Sequence, residues 1–167
     1  MSESVQWVVF TIGGQRVALE LAAVERVVRA VEITPLPKAP EIVQGVINVE
    51  GRIVPVFNLR RRFGMADREL GPDDQMIVAR IPGRRAALVV DEAIGVAAYP
   101  AEAVTRAARI LPGLEHLEGV VKCEDGLIFI HDLSRFLSVP EDCALGEAMR
   151  TEEGRQAADP GEKRDDR

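Results

Sequence analysis

Apolar and polar positions alternate in the first part of the chain, from Gln6 to Leu21, with an interruption at Gly13-Gly14. A period of two is typical of a strand with one buried face, and a pair of glycines suits a tight turn, so we predict a hairpin. The next apolar segment, Ala22 to Val31, is rich in valine, which favours a strand. We predict a short helical turn over Leu21 to Val24 and then a strand that runs to Val31.

A second hairpin is predicted from Val46 to Phe57, where two apolar runs flank Glu50-Gly51. The glycine supplies the positive φ of the turn. Pro55 lies in the second run, and because proline has no N–H to donate, we expect it at a sheet edge or at a bulge. Asn58 then caps a short helical turn that ends at Gly64.

The same pattern occurs twice along the chain. Residues 6–19 resemble residues 75–88 at a constant offset of 69, and residues 45–63 resemble residues 119–137 at an offset of 74. A duplicated unit of four or five short strands predicts two small barrels or curled sheets, with halves of about residues 6–64 and 75–137. One half alone would bury only about 60% of its unfolded surface, so we expect the halves to pack together or to exchange strands.

Composition narrows the class of protein. The chain has 47% apolar residues, enough for a core, and a net charge of −6, of which about four negative charges belong to residues 141–167. A nearly neutral body argues against a nucleic-acid surface. No secretion signal or apolar run of roughly 20 residues is present, so we expect a cytoplasmic protein. Residues 141–167 are predicted to be weakly helical, with Leu145 and Met149 on one face, and then a disordered acidic tail.

Residues that could carry chemistry are few and isolated, and we interpret them as structural. No nucleophile motif, phosphate loop, metal-ligand cluster or cofactor site is predicted. Arg60-Arg61-Arg62 is interpreted as a solvated face. Asp91-Glu92 follows a predicted strand and could suggest paired carboxylates. The remaining candidates are two histidines in structural roles and two reduced thiols, the second in a mobile tail: His116, His131, Cys123 and Cys143.

The segment Gly45 to Gly64 contains Gly-x-x-Asn-x-x-Gly, two aliphatic residues and Pro-Val-x-x-Leu-Arg-x-x-Phe-Gly. This pattern resembles the central signature of the CheW family, the coupling proteins of bacterial chemotaxis, and of the related regulatory domain of the chemotaxis histidine kinase. The resemblance extends from about Trp7 to about Leu137. It implies an all-β CheW-like domain over residues 1–140, made of two five-stranded barrels side by side with short helical turns. It also implies a turn-capping or strand-terminal role for Asp91.

The resemblance implies a non-enzymatic adaptor that couples a methyl-accepting chemotaxis protein to a CheA-type histidine kinase, without a cofactor, metal, nucleic acid or direct membrane insertion. By motif position it places partner contacts at six residues: Val24, Arg26, Gly45, Asn48, Glu50 and Arg52. The kinase surface is expected around strands of the second half. Two alternatives stay open: a CheW-like coupler of a non-flagellar chemosensory pathway, and a small-barrel module that binds a ligand or nucleic acid.

The sequence departs from the family at two charged positions. Family members usually have arginine before the turn glycine and an acidic residue in an upstream Val-x-Glu-Ile pattern, whereas this chain has Glu50 and Arg26 there. We hypothesise that Arg26 and Glu50 form an ion pair with both signs reversed. The alternative is that a difference in register keeps the two side chains apart.

Overall fold

The computed structural model describes residues 4–106, 117–124 and 126–158. The strands and the two α-helices of these residues follow one another as β1 (Ser4–Ile12), β2 (Gln15–Glu20), β3 (Val24–Arg29), β4 (Val43–Val49), β5 (Arg52–Phe57), α1 (Leu59–Arg62), β6 (Gln75–Ile81), β7 (Arg84–Val90), β8 (Glu92–Pro100), β9 (Val104–Arg106), β10 (Leu117–Cys123), β11 (Gly126–His131) and α2 (Val139–Ala158). Short 3-10 turns lie at Leu21–Ala23, Ala101–Ala103 and Leu133–Arg135. The predicted hairpins, and the helical turn before β3, are confirmed.

The strands form two mixed sheets, and each sheet combines strands from both repeat halves. The six-stranded sheet has the order β8-β1-β2-β11-β10-β9, and the five-stranded sheet has the order β3-β6-β7-β5-β4. Hairpin β1–β2 of the first half therefore joins strands of the second, and hairpin β6–β7 of the second half joins strands of the first. Four pairings join the halves: β1 with β8 and β3 with β6 are antiparallel, and β2 with β11 and β7 with β5 are parallel. The halves have exchanged their first hairpins.

The all-β class is confirmed, but the prediction of two five-stranded barrels is wrong, because neither sheet closes and one has six strands. The sixth strand is β9, in which Thr105 pairs with Val120. Its counterpart in the first half is a single bridge between Thr34 and Val46. Pro35 follows Thr34 directly and has no N–H to donate, so this ladder ends after one bridge.

Two glycines allow these outer bridges to form. Gly45 and Gly119 lie at equivalent positions of the repeat, each beside a register shift in its hairpin. A Cβ atom at Gly45 would overlap the carbonyl oxygen of Thr34, and a Cβ atom at Gly119 would overlap that of Thr105. Both positions therefore require glycine so that a neighbouring segment can approach the strand closely.

Helical turns close both halves, as predicted. The side chain of Asn58 accepts a hydrogen bond of 3.1 Å from the N–H of Arg61, and that of Asp132 accepts one of 3.0 Å from the N–H of Ser134. Such side chains satisfy N–H groups that have no partner within the helix. Each second hairpin of the repeat therefore leads into a capped turn.

The main core lies between the two sheets. Phe10 and Leu19 of the six-stranded sheet belong to the same buried cluster as Phe57 and Ile77 of the five-stranded sheet. Residues adjacent to these on the same strands point to the opposite face of each sheet. There they form one smaller cluster in each sheet, and the cluster of the six-stranded sheet includes Trp7. Both faces of the central strands are thus buried, so the exchanged hairpins are held by side-chain packing as well as by backbone pairing.

Helix α2 extends the core beyond the repeat. Leu145 and Met149 are buried in the main cluster, as their spacing predicts for a helix packed on one side. The helix continues to Ala158, and so reaches into the last dozen or so residues, for which we predict disorder. A helix that is already anchored gains one backbone hydrogen bond for each residue added, which explains this continuation. The rest of the predicted disordered tail, residues 159–167, lies outside the described residues.

The glycine requirement gives a first prediction. Gly45→Ala and its twin Gly119→Ala should each lower the free energy of unfolding by about 1–3 kcal/mol, because the added methyl group meets backbone that cannot move away freely. Urea unfolding would measure the loss. Gly154→Ala is the matched control, since no atom lies within 4 Å of its added Cβ, and it should stabilise the protein by about 0.5–1 kcal/mol. Wild-type stability of both strand variants would contradict the prediction.

Candidate functional site

The tip of the β4–β5 hairpin is closed by a two-residue turn. Glu50 and Gly51 both have positive φ, 51° and 83°, which is typical of a type I′ turn. The side-chain oxygen of Asn48 accepts a hydrogen bond of 2.8 Å from the N–H of Gly51. Asn48 therefore fixes the turn, and the turn holds the side chain of Glu50 at an exposed position.

Edge strand β3 presents its neighbouring charged residues Glu25 and Arg26 in different directions. The register with β6 shifts between Val24 and Arg26, so Glu25 is the extra residue of a bulge. The carboxylate of Glu25 pairs with Arg80 at 2.9 Å and Arg85 at 2.8 Å, and its side chain is only 16% exposed. These contacts, first from Arg80 and then from Arg85, lower the pKa of Glu25. Arg26 is left free to point away from this cluster.

Arg26 meets the hairpin tip. Its Nη2 lies 2.9 Å from Oε1 of Glu50, which confirms the hypothesised ion pair. The two side chains are 42% and 59% exposed. Strands β3 and β4 are the two outer strands of the five-stranded sheet, so this contact requires the sheet to curl until its edges approach each other. The pair lies across the opening of the curled sheet, where solvent and a partner can reach it.

The other predicted contact residues differ in exposure. Val24 is half-buried and packs against the main core, whereas Arg52 is exposed. Gly45 is buried under Thr34 and lets the Thr34 segment approach β4, while its expected partner contact stays a prediction. Sequence reasoning missed Val27 and Val31, two exposed apolar side chains on and just after β3.

Asp91 connects three parts of the chain. Its carboxylate accepts a hydrogen bond of 2.9 Å from the N–H of Gly13 in the β1–β2 turn and contacts Arg60 at 2.9 Å and Arg68 at 2.7 Å. Burial opposes ionisation, but Gly13 and the two guanidinium groups outweigh it, so the pKa of Asp91 is lowered. The strand-terminal, turn-capping role implied for Asp91 is confirmed, and no paired-carboxylate site with Glu92 is needed to explain it.

The interpretation of the three arginines of α1 as a solvated face is wrong. The side chain of Arg60 is 17% exposed beside Asp91, and that of Arg62 is 13% exposed. Arg62 pairs with Glu141 at 2.8 Å and lies over the ring of Phe136, which ties α2 to the body. Arg61 contacts Asp67 and the backbone oxygen of Glu41. All three arginines are therefore held by partners that are distant in sequence. The local sequence pattern around α1 cannot reveal such partners.

The remaining candidates for chemistry are structural within the part of the chain that the structure describes. His131 is buried between the rings of Phe63 and Phe136, each with its centroid 5.3 Å away. Within the described residues, no three His, Cys, Asp or Glu side chains are grouped as metal ligands would be. Both cysteines are free thiols, but Cys143 belongs to helix α2 and not to a mobile tail. His116 lies outside the described residues.

Comparison with known proteins identifies the family. A family model for the CheW-like domain matches residues 6–142, most of the chain. The chain belongs to the CheW family. The match covers both repeat halves and the beginning of α2, so it includes the Arg26–Glu50 pair and its supporting strands.

Individual CheW relatives are similar over most of their length. "Chemotaxis protein CheW" of Treponema pallidum is 24% identical over 145 residues, which cover 83% of this chain and 85% of that protein. "Protein FrzA" of Myxococcus xanthus is 31% identical over 120 residues, which cover 68% and 71%. The crystal structure of "scaffolding protein TtCheW" from Thermoanaerobacter tengcongensis has a TM-score of 0.75 and 30% identity, with 84% of this chain and 96% of that chain covered.

Membership of the CheW family sets the class of function. The chain is a chemotaxis adaptor, a scaffold that couples receptors to a CheA-type kinase, and not an enzyme. In the part of the chain that the structure describes, no helix is both long and apolar enough to cross a membrane. The exposed site at the hairpin tip fits an adaptor, because it offers shape and charge without a reactive group.

A double-mutant cycle tests whether the CheW-family charge pair is energetically coupled. Arg26→Gln, Glu50→Gln and the double variant should give a coupling free energy of about 0.2–1 kcal/mol, because both side chains are exposed. The coupling should shrink in high salt, which screens exposed charges. Urea unfolding at two salt concentrations would measure it, and a coupling of zero at low salt would contradict the pairing in solution.

The Asp91 contacts predict a pH-dependent contribution to stability. Asp91→Asn should lower the free energy of unfolding at pH 7 by about 1.5–3 kcal/mol, the range for hydrogen bonds to charged groups. The pKa of Asp91 in the folded protein is lowered from its ordinary value of 3.8. The stabilisation by Asp91 is therefore fully present above pH 3.8, and it is lost as the pH falls through the pKa of the folded protein. Asp73→Asn, at an exposed position, is the control. A deficit that stays constant down to pH 3 would refute the assignment.

Proposed function

We propose that the surface around Arg26 and Glu50 binds the cytoplasmic tip of a methyl-accepting chemotaxis protein, with Val24, Asn48 and Arg52 beside it. The observation that carries this proposal is the exposed 2.9 Å ion pair at the motif positions. Such a pair contributes only about 0–1 kcal/mol to folding. Its position, held by the Asn48 turn and the β3 bulge, is therefore better explained by recognition than by stability.

Exposed apolar side chains along β3 support the same proposal. Val27 is 38% exposed on β3, and Val31 is 46% exposed just after it. Protein interfaces commonly have an apolar centre with a polar rim. The two valines and the charged pair provide both components along one edge of the five-stranded sheet. The charges then determine which receptor is accepted, and the valines supply contact area.

The kinase contact belongs, in this proposal, to the six-stranded sheet. Its edge strand β8, from the second half, exposes Ile94 and Val96, which are 55% and 57% accessible. A strand with an exposed apolar face at a sheet edge is suited to binding another protein. A receptor on one sheet and a kinase on the other would let the rigid shared core couple the two partners through differential contacts. The protein would act in the cytoplasm and reach the membrane only through receptors.

The reversed signs of Arg26 and Glu50 determine partner choice in this proposal. A receptor with charges suited to the usual arrangement would meet like charges here, and such contacts cost several kcal/mol. We infer that the receptor of this chain carries matching reversed charges. This favours a dedicated pathway, which includes the alternative of a non-flagellar chemosensory output.

A nucleic-acid or small-ligand module is less consistent with the surface. All seven aromatic residues of the sequence are buried or half-buried. Binding of single-stranded nucleic acid uses exposed aromatic side chains as stacking platforms. The body therefore lacks the exposed rings that such a module needs.

Affinity capture from the native cell tests the proposal. The wild-type chain should recover a CheA-type kinase and methyl-accepting receptors, identified by mass spectrometry. The charge-exchanged variant Arg26→Glu/Glu50→Arg keeps the net charge and the pair, so it should keep the kinase but lose receptor by about tenfold or more, which corresponds to 1.4 kcal/mol or more.

Lys38→Glu/Glu69→Lys is the control, because both side chains are exposed and lie outside the proposed surfaces. It should recover both partners at the wild-type level. Recovery of neither partner by folded wild-type protein would overturn the coupling proposal. Equal recovery of receptor by the charge-exchanged variant would overturn the role of Arg26 and Glu50.

A further inference from the structure

Strands β5 and β7 separate at one end of their pairing. Their parallel register covers only Val56 with Ala87 and Phe57 with Leu88. In the twin pairing of the other half, Phe129 occupies the position equivalent to Pro55 and pairs with Val17. Pro55 has no N–H to donate, so it stops the ladder that Phe129 continues. The preceding parts of β5 and β7 are paired only on their other sides.

A groove of about 1140 Å³ opens along this separation, between β5, β7 and helix α2. Its floor is apolar and includes Ile53, Pro55 and Met149. We call it the basic groove, because five arginines line it: Arg52, Arg80, Arg84, Arg85 and Arg150. Two glutamates, Glu25 and Glu153, also line it. The lining therefore has three more positive than negative charges, on a chain whose net charge is −6.

Not all of this positive charge is neutralised by the fold. Glu25 pairs with Arg80 and Arg85, and Arg84 pairs with Asp142 at 3.0 Å. Among the described residues, Arg52 and Arg150 have no ion-pair partner. Both side chains are exposed. Their guanidinium groups are thus available as donors on two walls of the groove, β5 and α2.

We propose that the basic groove binds an extended acidic peptide segment of a protein partner. Its volume exceeds the roughly 300–1,000 Å³ of small-molecule pockets, which favours a peptide over a single small anion. Carboxylates of the segment pair with Arg52 and Arg150, while alternate apolar side chains contact the floor. The unpaired sides of β5 and β7 offer backbone groups to an extended chain, as in strand addition. None of the described residues that line the groove is aromatic, so bases of a nucleic acid would find no stacking surface among them.

A fluorescent decapeptide of alternating glutamate and valine tests the proposal with the full chain at low salt. It should bind by fluorescence anisotropy at least about tenfold more tightly than the same peptide with glutamine in place of glutamate, because only carboxylates pair with arginine. Arg52→Gln/Arg150→Gln should weaken binding by about tenfold, since each exposed pair is worth a factor of up to about five. Arg29→Gln, an exposed arginine outside the groove, should leave it unchanged.

A second variant tests the geometry without a change of charge. Pro55→Val restores an N–H and should let the β5–β7 ladder extend as it does in the twin, which narrows the groove and weakens peptide binding at least about threefold. Circular dichroism melting would show that each variant is folded. The proposal is overturned if the wild type does not bind, if glutamate and glutamine peptides bind equally, or if the folded arginine or Pro55 variants bind as the wild type does. Tighter binding of a ten-nucleotide oligothymidine than of the acidic peptide would overturn it in favour of nucleic acid.

This inference does not depend on receptor or kinase coupling. Arg52 borders both surfaces, but Arg150 belongs to the groove alone. Peptide binding weakened up to about fivefold in Arg150→Gln, with unchanged receptor recovery, would separate the two. Failure of the groove proposal and failure of the adaptor proposal therefore give different results.

Discussion

Four strand pairings between the repeat halves hold this fold together: β1 with β8, β2 with β11, β3 with β6 and β7 with β5. Each joins a strand from the first hairpin of one half to a strand of the other half. Because hairpin strands are covalently tied to their own halves, neither half can complete its sheet alone. The main core follows from this constraint, since Phe10 and Phe57 come from different sheets and pack in one cluster. The exchange turns two units too small to be stable separately into one cooperative body.

The same exchange determines which surfaces remain for partners. In the five-stranded sheet it places β6 and β7 in the interior of the strand order, so β3 and β4 become the outer strands. The charged residues of the signature, Arg26 and Glu50, meet across these edges. In the other sheet it leaves β8 at an edge with Ile94 and Val96 exposed. An adaptor with two partners requires a rigid core and an exposed binding edge in each sheet.

Local features of the fold could be predicted from the sequence. The hairpins, the turn at Glu50-Gly51 and the cap at Asn58 depend on residues a few positions apart. The Arg26–Glu50 pair, 24 residues apart, could be predicted only because the resemblance drew attention to both positions. The strand exchange stayed open because hairpins β1–β2 and β6–β7 have the same pattern, and pattern does not say which partner strand each prefers. Which distant strand a hairpin pairs with depends on the packing of the whole core and not on the local sequence.

The errors have the same physical origin. The arginines of α1 looked solvated because their acidic partners are distant: Asp91 is 31 residues from Arg60, and Glu141 is 79 residues from Arg62. Helix α2 looked weak because its sequence has few apolar residues, yet Leu145 and Met149 fill a site in the main core that the repeat alone does not reveal. In both cases tertiary contacts overrode a correct local description.

The reversed charge pair illustrates how such a scaffold can change partner without changing structure. An exposed pair contributes at most about 1 kcal/mol, and exchanging both signs restores the same attraction. The stability of the fold therefore hardly depends on which of the two residues is acidic. The affinity for a partner does depend on it, because each charge of the partner then meets the opposite sign from the one it was matched to. In the proposed function, partner specificity resides at a position where the stability of the protein imposes little constraint. The signs of Arg26 and Glu50 would then mainly affect which partner binds.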